Sequence, residues 1–220
     1  MKLNKLMFRE YDIRGIWNED ITEEVSYYIG RAYATKLLSL KKNKMIVGYD
    51  NRLSSPIIEK NLVKGLTDGG VDVVRLGLVT TPMYYYAWDK LNIHCGIMIT
   101  ASHNPKEYNG FKMSYNGIHN CFGNEVAELY YIILNGIYSK GNGSITDANI
   151  KEDYIKMINS HINMGSNKLK VIYDCGNGTT SIVAKDIFVS NDNIEYIPLF
   201  AESDGTFPNH HPDPAVEDNL

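Results

Sequence analysis

Short apolar runs alternate with helical patterns along nearly the whole chain, and this alternation constrains the fold more than any other feature. The run 44–49 is strand-like, the Ser-Ser-Pro at 54–56 begins a helix, and the glycine pair at 69–70 ends it. The same reasoning predicts further strands at 71–76, 95–99, 111–115, 168–173 and 194–199, and helices at about 22–37, 82–91, 125–138, 151–162 and 181–188. Strands and helices that alternate in this way predict the α/β class.

The glycine-rich segment 141–144 predicts a flexible connection, and it is the first candidate for a domain boundary. Because the helix at 151–162 can bridge this connection, we place the boundary near Ile150, which gives domains at 1–150 and 151–220. The second domain contains one strand–helix–strand unit, expected to be right-handed if its strands are parallel. Within the first domain, the Asn-Gly pair at 116–117 predicts a hairpin turn after the strand at 111–115.

Composition and charge argue against several classes of partner. The 220 residues carry a net charge of −4, and the only visibly basic run is at 41–44, so we expect no nucleic-acid partner. No apolar stretch approaches the length of a membrane span and no export signal is visible, so we expect no membrane partner.

The three cysteines are widely spaced and do not form a disulfide framework. A reducing, cytoplasmic setting is therefore predicted.

The segment 100–112 carries the clearest signal of chemistry. It follows the buried-strand pattern at 95–99, and ligands of α/β domains bind outside the carboxyl ends of strands. His103 stands next to Ser102 and would be the base of a serine nucleophile. Neighbours on extended chain point to opposite sides, however, and the Gly-x-Ser-x-Gly elbow is absent, so a hydrolase pair is disfavoured.

A serine that carries a phosphate fits this segment better. Phosphorylation adds about −1.5 to −2 charges and three acceptor oxygens, which need cations nearby. Lys112 and Arg14 are the candidates, although each by itself also fits an ordinary surface charge. Taken alone, the segment 7–16 that contains Arg14 would be an edge strand with solvated charges.

Two further clusters have both a chemical and a structural interpretation. The turn Gly176-Asn177-Gly178 would cradle a phosphate at a helix N-terminus, but it lacks the lysine and the spacing of a P-loop, so a plain strand-to-helix turn is favoured. The segment 210–213, His-His-Pro-Asp, would offer two imidazoles and a carboxylate to zinc. Because its spacing is not that of a zinc site, a rigid polar loop is favoured.

Four stretches in register carry a resemblance to a known family. They are FREYDIRG at 8–15, GYDNRLSS at 48–55, TASHNP at 100–105 continuing to GFK at 110–112, and DGTFPNHHPDP at 204–214. Together they resemble the α-D-phosphohexomutase superfamily, and in particular its phosphomannomutase/phosphoglucomutase branch. The resemblance implies a mixed, mainly parallel sheet flanked by helices, followed by a partial second α/β domain.

The resemblance also implies a chemistry for the serine. Ser102 would be a phosphoserine that exchanges its phosphoryl group with hexose 1- and 6-phosphates of mannose or glucose, through a hexose 1,6-bisphosphate. Lys112 and Arg14 would bind substrate and assist proton transfer and charge stabilisation, and His103 and Asn104 would shape the loop, Asn104 also contacting substrate. The phosphate on Ser102 would supply one ligand to Mg²⁺, which prefers hard oxygen donors.

The chain departs from the family pattern towards its end. Family members carry an Asp-Gly-Asp-x-Asp-Arg metal loop and two further domains, and none of these occurs here. We therefore expect this chain to be the first half of a mutase and to be inactive alone. Its expected partner is the missing C-terminal half of the same protein. The unpaired edge of its second sheet is expected to favour self-association. A non-catalytic fragment that binds sugar phosphates or another protein is the alternative. The preference between mannose and glucose and the oligomeric state stay open.

Overall fold

The fold, obtained as a computed structural model, is described for residues 3–219. Six α-helices and eight β-strands alternate along these residues, and short 3-10 helices lie at Lys5–Met7, Thr179–Ile182 and Glu217–Asn219. The elements are β1 (Ile13–Ile16), α1 (Glu23–Ser39), β2 (Lys44–Tyr49), α2 (Ser55–Asp68), β3 (Asp72–Leu78), α3 (Thr81–Lys90), β4 (Gly96–Ile99), β5 (Tyr108–Ser114), α4 (Asn124–Asn135), β6 (Ile145–Asp147), α5 (Lys151–His161), β7 (Leu169–Asp174), α6 (Ala184–Phe188) and β8 (Ile194–Leu199).

The first six strands form one sheet in the order β1-β5-β4-β2-β3-β6. The pairs β2–β3, β2–β4 and β3–β6 are parallel, whereas β4–β5 and β1–β5 are antiparallel. The sheet is therefore mixed and mainly parallel, as the family resemblance implies. Because β2 and β4 are parallel neighbours, their carboxyl ends lie side by side at one edge of the sheet.

Helices cover both faces of this sheet. Alternate residues of β2 contact different cores, since side chains along a strand alternate between faces. Met45 and Val47 pack with α1, α2 and α4, whereas Ile46 packs with α3. The result is a three-layer arrangement in which the central strands are buried on both sides, as parallel strands require.

Two details of the first domain differ from the sequence-based expectation. The Asn-Gly pair at 116–117 does not start a hairpin, because β1 already occupies the position next to β5, and the chain continues to α4 instead. The three-residue strand β6 extends the sheet at its other edge, although 145–147 has no strand pattern in the sequence. All three of its residues are exposed, so no buried stripe marks it.

The second region contains β7 and β8, which pair in parallel through the connection that includes α6. No residue of these two described strands is fully buried. This region contacts the first sheet at Asn51, whose backbone N–H donates to Thr179 Oγ1 at 3.0 Å and whose side-chain amide donates to the carbonyl of Asn177 at 2.7 Å. The division at residue 150 stays a prediction. Within residues 3–219, no helix has both the length and the apolar character needed to cross a membrane.

Candidate functional site

The connection between β4 and β5, residues 100–107, is called the serine loop below. β4 is buried along its whole length, and β5 returns antiparallel to it, with Ile99 opposite Phe111. The loop therefore begins at the carboxyl end of a buried strand, next to the end of β2. Ser102 and His103 are exposed on it. The sequence-based prediction of the position of this loop is confirmed by the fold.

Ser102 has an unusual backbone conformation. Its φ of 55° lies in the left-handed region, which costs a non-glycine residue about 1–3 kcal/mol and persists only where the surrounding structure enforces it. The backbone N–H of Ser102 donates to Thr100 Oγ1 at 2.9 Å. The turn also brings Ser102 Oγ to 3.4 Å from His103 Nδ1. The expectation that neighbouring side chains point apart is wrong here, because it assumed an extended chain.

Arg52 contacts the serine loop more extensively than any residue selected from the sequence. Its side chain is 1 % exposed, and Nε donates to Asp50 Oδ2 at 3.1 Å. The two terminal nitrogens donate to four loop or loop-adjacent carbonyls, those of Ser102 (2.9 Å), Asn104 (2.7 Å), Pro105 (2.6 Å) and Tyr108 (3.1 Å). Burial lowers the pKa of the Arg52 guanidinium, and the neighbouring Asp50 carboxylate opposes that shift.

Arg14 approaches the loop from β1. Its Nη1 donates to Asn104 Oδ1 at 2.5 Å, and its Nη2 donates to Asp12 Oδ2 at 2.5 Å. β1 is an edge strand, as the segment 7–16 taken alone predicts, but Arg14 is 8 % exposed and Asp12 is 1 % exposed, so the expectation that its charges are solvated is wrong for these two residues. Within this buried pair, Arg14 Nε has no hydrogen-bond partner, which leaves one donor on the guanidinium unsatisfied.

Lys112 lies on β5, half-buried, next to this ion pair. Burial lowers the pKa of its ammonium, Arg14 lowers it further, and Asp12 acts in the opposite direction. A lysine whose pKa is depressed exchanges its proton more readily near neutral pH than a solvated lysine does. Arg14, Asn104 and Lys112 thus form one electrostatic cluster on the β1–β5 side of the loop.

A cavity of about 420 Å³ borders the serine loop. Ser102 and His103 line it from the first sheet, and Thr179, Thr180 and Pro212 line it from the second region. Arg14, Asn104 and Lys112 are not among its lining residues within the part of the chain that the structure describes. Ser102 therefore faces a cleft between the two regions, and the structure does not bring the predicted cations into that cleft.

The described residues do not fit a complete magnesium site. Between residues 3 and 219, no group of three or more His, Cys, Asp or Glu side chains converges on a metal position. Asp50 is the carboxylate that lines the cavity, and its two oxygens already accept from Arg52 and from the Ser55 hydroxyl. A phosphate on Ser102 would be a single ligand group there, without carboxylates among the described residues to complete the site.

The two other sequence clusters have structural contacts. In the turn at 176–178, the backbone N–H of Asn177 donates to the carbonyl of Phe200 at 2.9 Å and that of Gly178 donates to the carbonyl of Cys175 at 2.8 Å. These donors are engaged within the protein, which favours the plain strand-to-helix turn. His210 contacts Asp174, with Nε2 3.2 Å from the nearer carboxylate oxygen.

Comparisons with known proteins bear on both regions of the chain. The model of the phosphoglucomutase/phosphomannomutase alpha/beta/alpha domain I matches residues 5–136, and that of domain II of the same family matches residues 152–220. A phosphomannomutase/phosphoglucomutase of Pseudomonas syringae is 43% identical over 215 residues, and a phosphoglucomutase of Neisseria meningitidis serogroup B is 39% identical over 216 residues.

Each of these alignments covers 97% of this chain, but only 45% and 46% of the respective relative. A solved phosphoglucomutase/phosphomannomutase family structure from Burkholderia thailandensis superimposes with a TM-score of 0.93 at 34% identity, covering all of this chain and 49% of that one. The chain thus spans about half the length of the curated relatives it matches.

Proposed function

The chain belongs to the phosphoglucomutase/phosphomannomutase family, and on that basis we propose that it is the part of a phosphohexomutase that carries the transferred phosphoryl group on Ser102. The observation that supports this most is the position of Ser102, exposed in a left-handed turn at the end of a buried strand and open to the cleft. Its hydroxyl is reachable by a substrate while its backbone is held. The substrates we propose are the 1- and 6-phosphates of glucose and mannose.

The proposed reaction transfers one phosphoryl group at a time. The P–O bond to Ser102 Oγ breaks, a P–O bond to a sugar hydroxyl forms, and the proton lost by that hydroxyl balances the proton gained at Oγ. The hexose 1,6-bisphosphate then returns its other phosphoryl group to Ser102. The reaction is mainly positioning and charge neutralisation. Arg14 and Lys112 do not line the cavity, so we propose that they act on the phosphate of Ser102 from the β1–β5 side of the loop, where they would neutralise its charge and assist proton transfer. His103, 3.4 Å from the serine oxygen, would orient that hydroxyl.

Mg²⁺ remains part of the proposal only for an assembly larger than this chain. The phosphate on Ser102 would hold the ion from one side, and carboxylates would come from the C-terminal half found in the relatives. We propose that this half is also the partner without which the chain does not turn over substrate. The three cysteines are free and buried, which supports the proposed reducing, cytoplasmic setting.

The test is phosphorylation of Ser102. The chain is incubated with glucose 1,6-bisphosphate and Mg²⁺, alone and with the C-terminal half of a relative, and its intact mass is measured. We expect a gain of one phosphoryl group in the wild type and in Ser166→Ala, an exposed-serine control, but not in Ser102→Ala. A gain of phosphoryl mass that persists in Ser102→Ala contradicts the proposal, and so does the absence of any such gain in every combination. Binding of hexose phosphate without any gain supports the non-catalytic alternative.

A further inference from the structure

Arg52 has the contacts of a residue that determines the shape of the serine loop. A loop carbonyl that is turned inward must find a donor, because an unsatisfied buried polar group costs about 1–3 kcal/mol. One guanidinium supplies donors to four such carbonyls, including that of Ser102 itself. Lysine cannot replace this fork of donors, since its ammonium is a single point of charge.

Asp50 fixes the guanidinium from behind. Its Oδ2 accepts from Arg52 Nε, and its Oδ1 accepts from the backbone N–H of Arg52 and from the Ser55 hydroxyl. The arginine is therefore held from β2 and α2, which belong to the first core. Its terminal nitrogens donate to a loop, and loops are in general more mobile than the elements they connect. The backbone of Ser102 is thus contacted from outside the loop as well as by Thr100 within it.

The second region closes the remaining side of Arg52. The segment 204–207, called the docking turn here, carries Phe207, whose ring centre lies 5.5 Å from the guanidinium carbon. Gly205 is buried against the backbone, and a Cβ placed on it would lie 2.2 Å from the carbonyl oxygen of Asn51 and 3.0 Å from Arg52 Cα. Only glycine permits this close approach.

The docking turn is itself held in a strained conformation. Phe207 has a φ of 50°, which is rare for a bulky side chain. The turn keeps this conformation through hydrogen bonds from the N–H of Phe207 to the carbonyl of Asp204 at 3.0 Å and from the N–H of Asp204 to the carbonyl of Asn177 at 2.9 Å. The second region thus presents a fixed surface to Arg52.

We propose that Arg52 is a positioning residue for Ser102, and that the docking turn holds Arg52 in place, so that order in the serine loop depends on docking of the second region. The effect on catalysis rests on the proposed function, whereas the effect on loop order does not. Neither Arg52 nor the docking turn touches the reacting hydroxyl; both act through the loop backbone.

Hydrogen–deuterium exchange of the 220-residue chain tests the loop order. Loss of one hydrogen bond from a charged donor raises local opening by about tenfold or more. We expect such a rise for the serine-loop amides in Arg52→Lys, and a rise in the same direction in Gly205→Ala, while the amides of β2 and β4 stay protected in both. Arg75→Met, which removes a surface arginine paired with Asp147, is the control and leaves loop exchange unchanged.

The outcomes separate the two parts of the inference. Unchanged loop exchange in Arg52→Lys, or loop amides that exchange in step with β2 and β4, overturns the positioning role. A rise in Arg52→Lys without one in Gly205→Ala overturns the link to the docking turn. If Arg52→Lys fails to fold, Gly205→Ala still tests the link, because it leaves every loop contact of Arg52 chemically intact, and unchanged loop exchange there overturns the dependence of loop order on the docking turn.

A kinetic measurement then tests positioning in the reaction. In the chain joined to the C-terminal half of a relative, Arg52→Lys should lower kcat by roughly a hundredfold with KM little changed, because the loop no longer presents Ser102 at the reacting distance. A rise in KM at constant kcat overturns the role. Inactivity of the wild-type assembly would count against the proposed function and would leave the exchange result standing.

Discussion

At the scale of single residues, Lys112 lies where burial and a neighbouring cation both disfavour its charge. Its pKa is lowered by burial and by Arg14, while Asp12 acts against the shift. The unfolded chain therefore holds the Lys112 proton to higher pH than the folded chain does. Where the folded lysine has lost its proton and the unfolded one has not, the free energy of unfolding rises with pH.

Lys112→Met should remove this rise of the unfolding free energy with pH. Under the proposed function it should also remove the proton transfer that Lys112 assists. We expect the wild type to gain stability relative to the variant as the pH increases towards the ordinary lysine pKa of about 10.4. Turnover of the assembly with the C-terminal half should fall by about 10²–10⁴-fold. Urea unfolding at a series of alkaline pH values measures the first effect, with the exposed Lys168→Met as control. Parallel pH curves for wild type and Lys112→Met would refute the assignment.

A second prediction for a single residue concerns the pKa of His210. Its Nδ1 faces the carbonyl of His211 at 2.8 Å and its Nε2 faces Asp174 at 3.2 Å, so both ring nitrogens face acceptors. The hydrogen bond to the His211 carbonyl is the largest cause of its raised pKa, burial opposes it, and Asp174 adds to it. The stability it contributes is complete below the ordinary histidine pKa of about 6.5 and is lost as pH rises through the raised value.

His210→Gln should therefore abolish part of the pH dependence of stability around and above neutrality. Unfolding free energies are compared for the wild type, His210→Gln and His161→Gln, an exposed histidine on α5 that serves as control. We expect wild type and His161→Gln to lose stability over this window and His210→Gln to lose less. An equal loss in all three proteins would show that His210 does not carry the effect.

Residue-level sequence reasoning predicted the position of the serine loop but missed the contacts that Arg52 makes with it. A strand end followed by a polar loop marks Ser102, and that signal is local. Arg52 also follows a strand, within the run Asp50-Asn51-Arg52, but its importance depends on β2 and β4 being parallel neighbours. The strand order is a long-range property, so no spacing in the sequence connects position 52 with the carbonyls of 102 to 108.

At the scale of elements, α1 and α2 pack through glycine. A Cβ on Gly30 would lie 2.3 Å from the carbonyl oxygen of Leu62, and one on Gly65 would lie 2.1 Å from that of Tyr27. The helices therefore approach each other backbone to backbone. Neither glycine has a positive φ, so the requirement is for space and not for a special conformation.

Gly30→Ala should destabilise the chain by about 1–3 kcal/mol, because overpacking outweighs the better helix propensity of alanine. The denaturation midpoint in urea measures this, and Lys60→Ala on the exposed side of α2 serves as control, with a change within about 0.5 kcal/mol. A Gly30→Ala variant as stable as the wild type would mean that the two helices separate without cost.

Helices and strands were predicted correctly where their own sequence marks their start, their end or their buried face. Thr22 and Thr80 accept from the N–H groups of Val25 and Met83 and cap α1 and α3, which begin close to the predicted starts at 22 and 82. The helix predicted to 138 ends at Asn135, because Gly136 adopts the left-handed conformation with a φ of 64°. β6 was missed because its partner β3, and not its own composition, makes it a strand.

At the scale of the whole molecule, the second region has a sheet that α6 covers on one face, through Phe188 against Tyr173 and Tyr196, while the other face is exposed. β7 and β8 are parallel, and parallel sheets are normally buried on both faces, yet Ile172 is 63% exposed and Leu169 is 53% exposed. Each strand also has one edge whose N–H and C=O groups have no strand partner among the described residues. Pro198 removes a donor from β8, so β7 is the better edge for pairing.

We therefore predict that the chain self-associates through β7 at high concentration, since an open edge with apolar side chains is a template for another strand. Light scattering over a concentration series should show a rising mean mass in the wild type. Ile172→Lys should suppress the rise, because a charge on this strand disfavours edge-to-edge pairing. Ile118→Lys, which removes an 85% exposed isoleucine from the first domain, should not.

The two lysine variants separate pairing from general stickiness. Both replace an exposed isoleucine with a charge, but only position 172 lies on the open sheet. Equal suppression by both variants would assign the association to exposed apolar surface in general. A wild type that stays monomeric at every concentration would refute the predicted self-association. Addition of the C-terminal half of a relative should also suppress association if that half covers β7, because two strands cannot pair with the same edge at once.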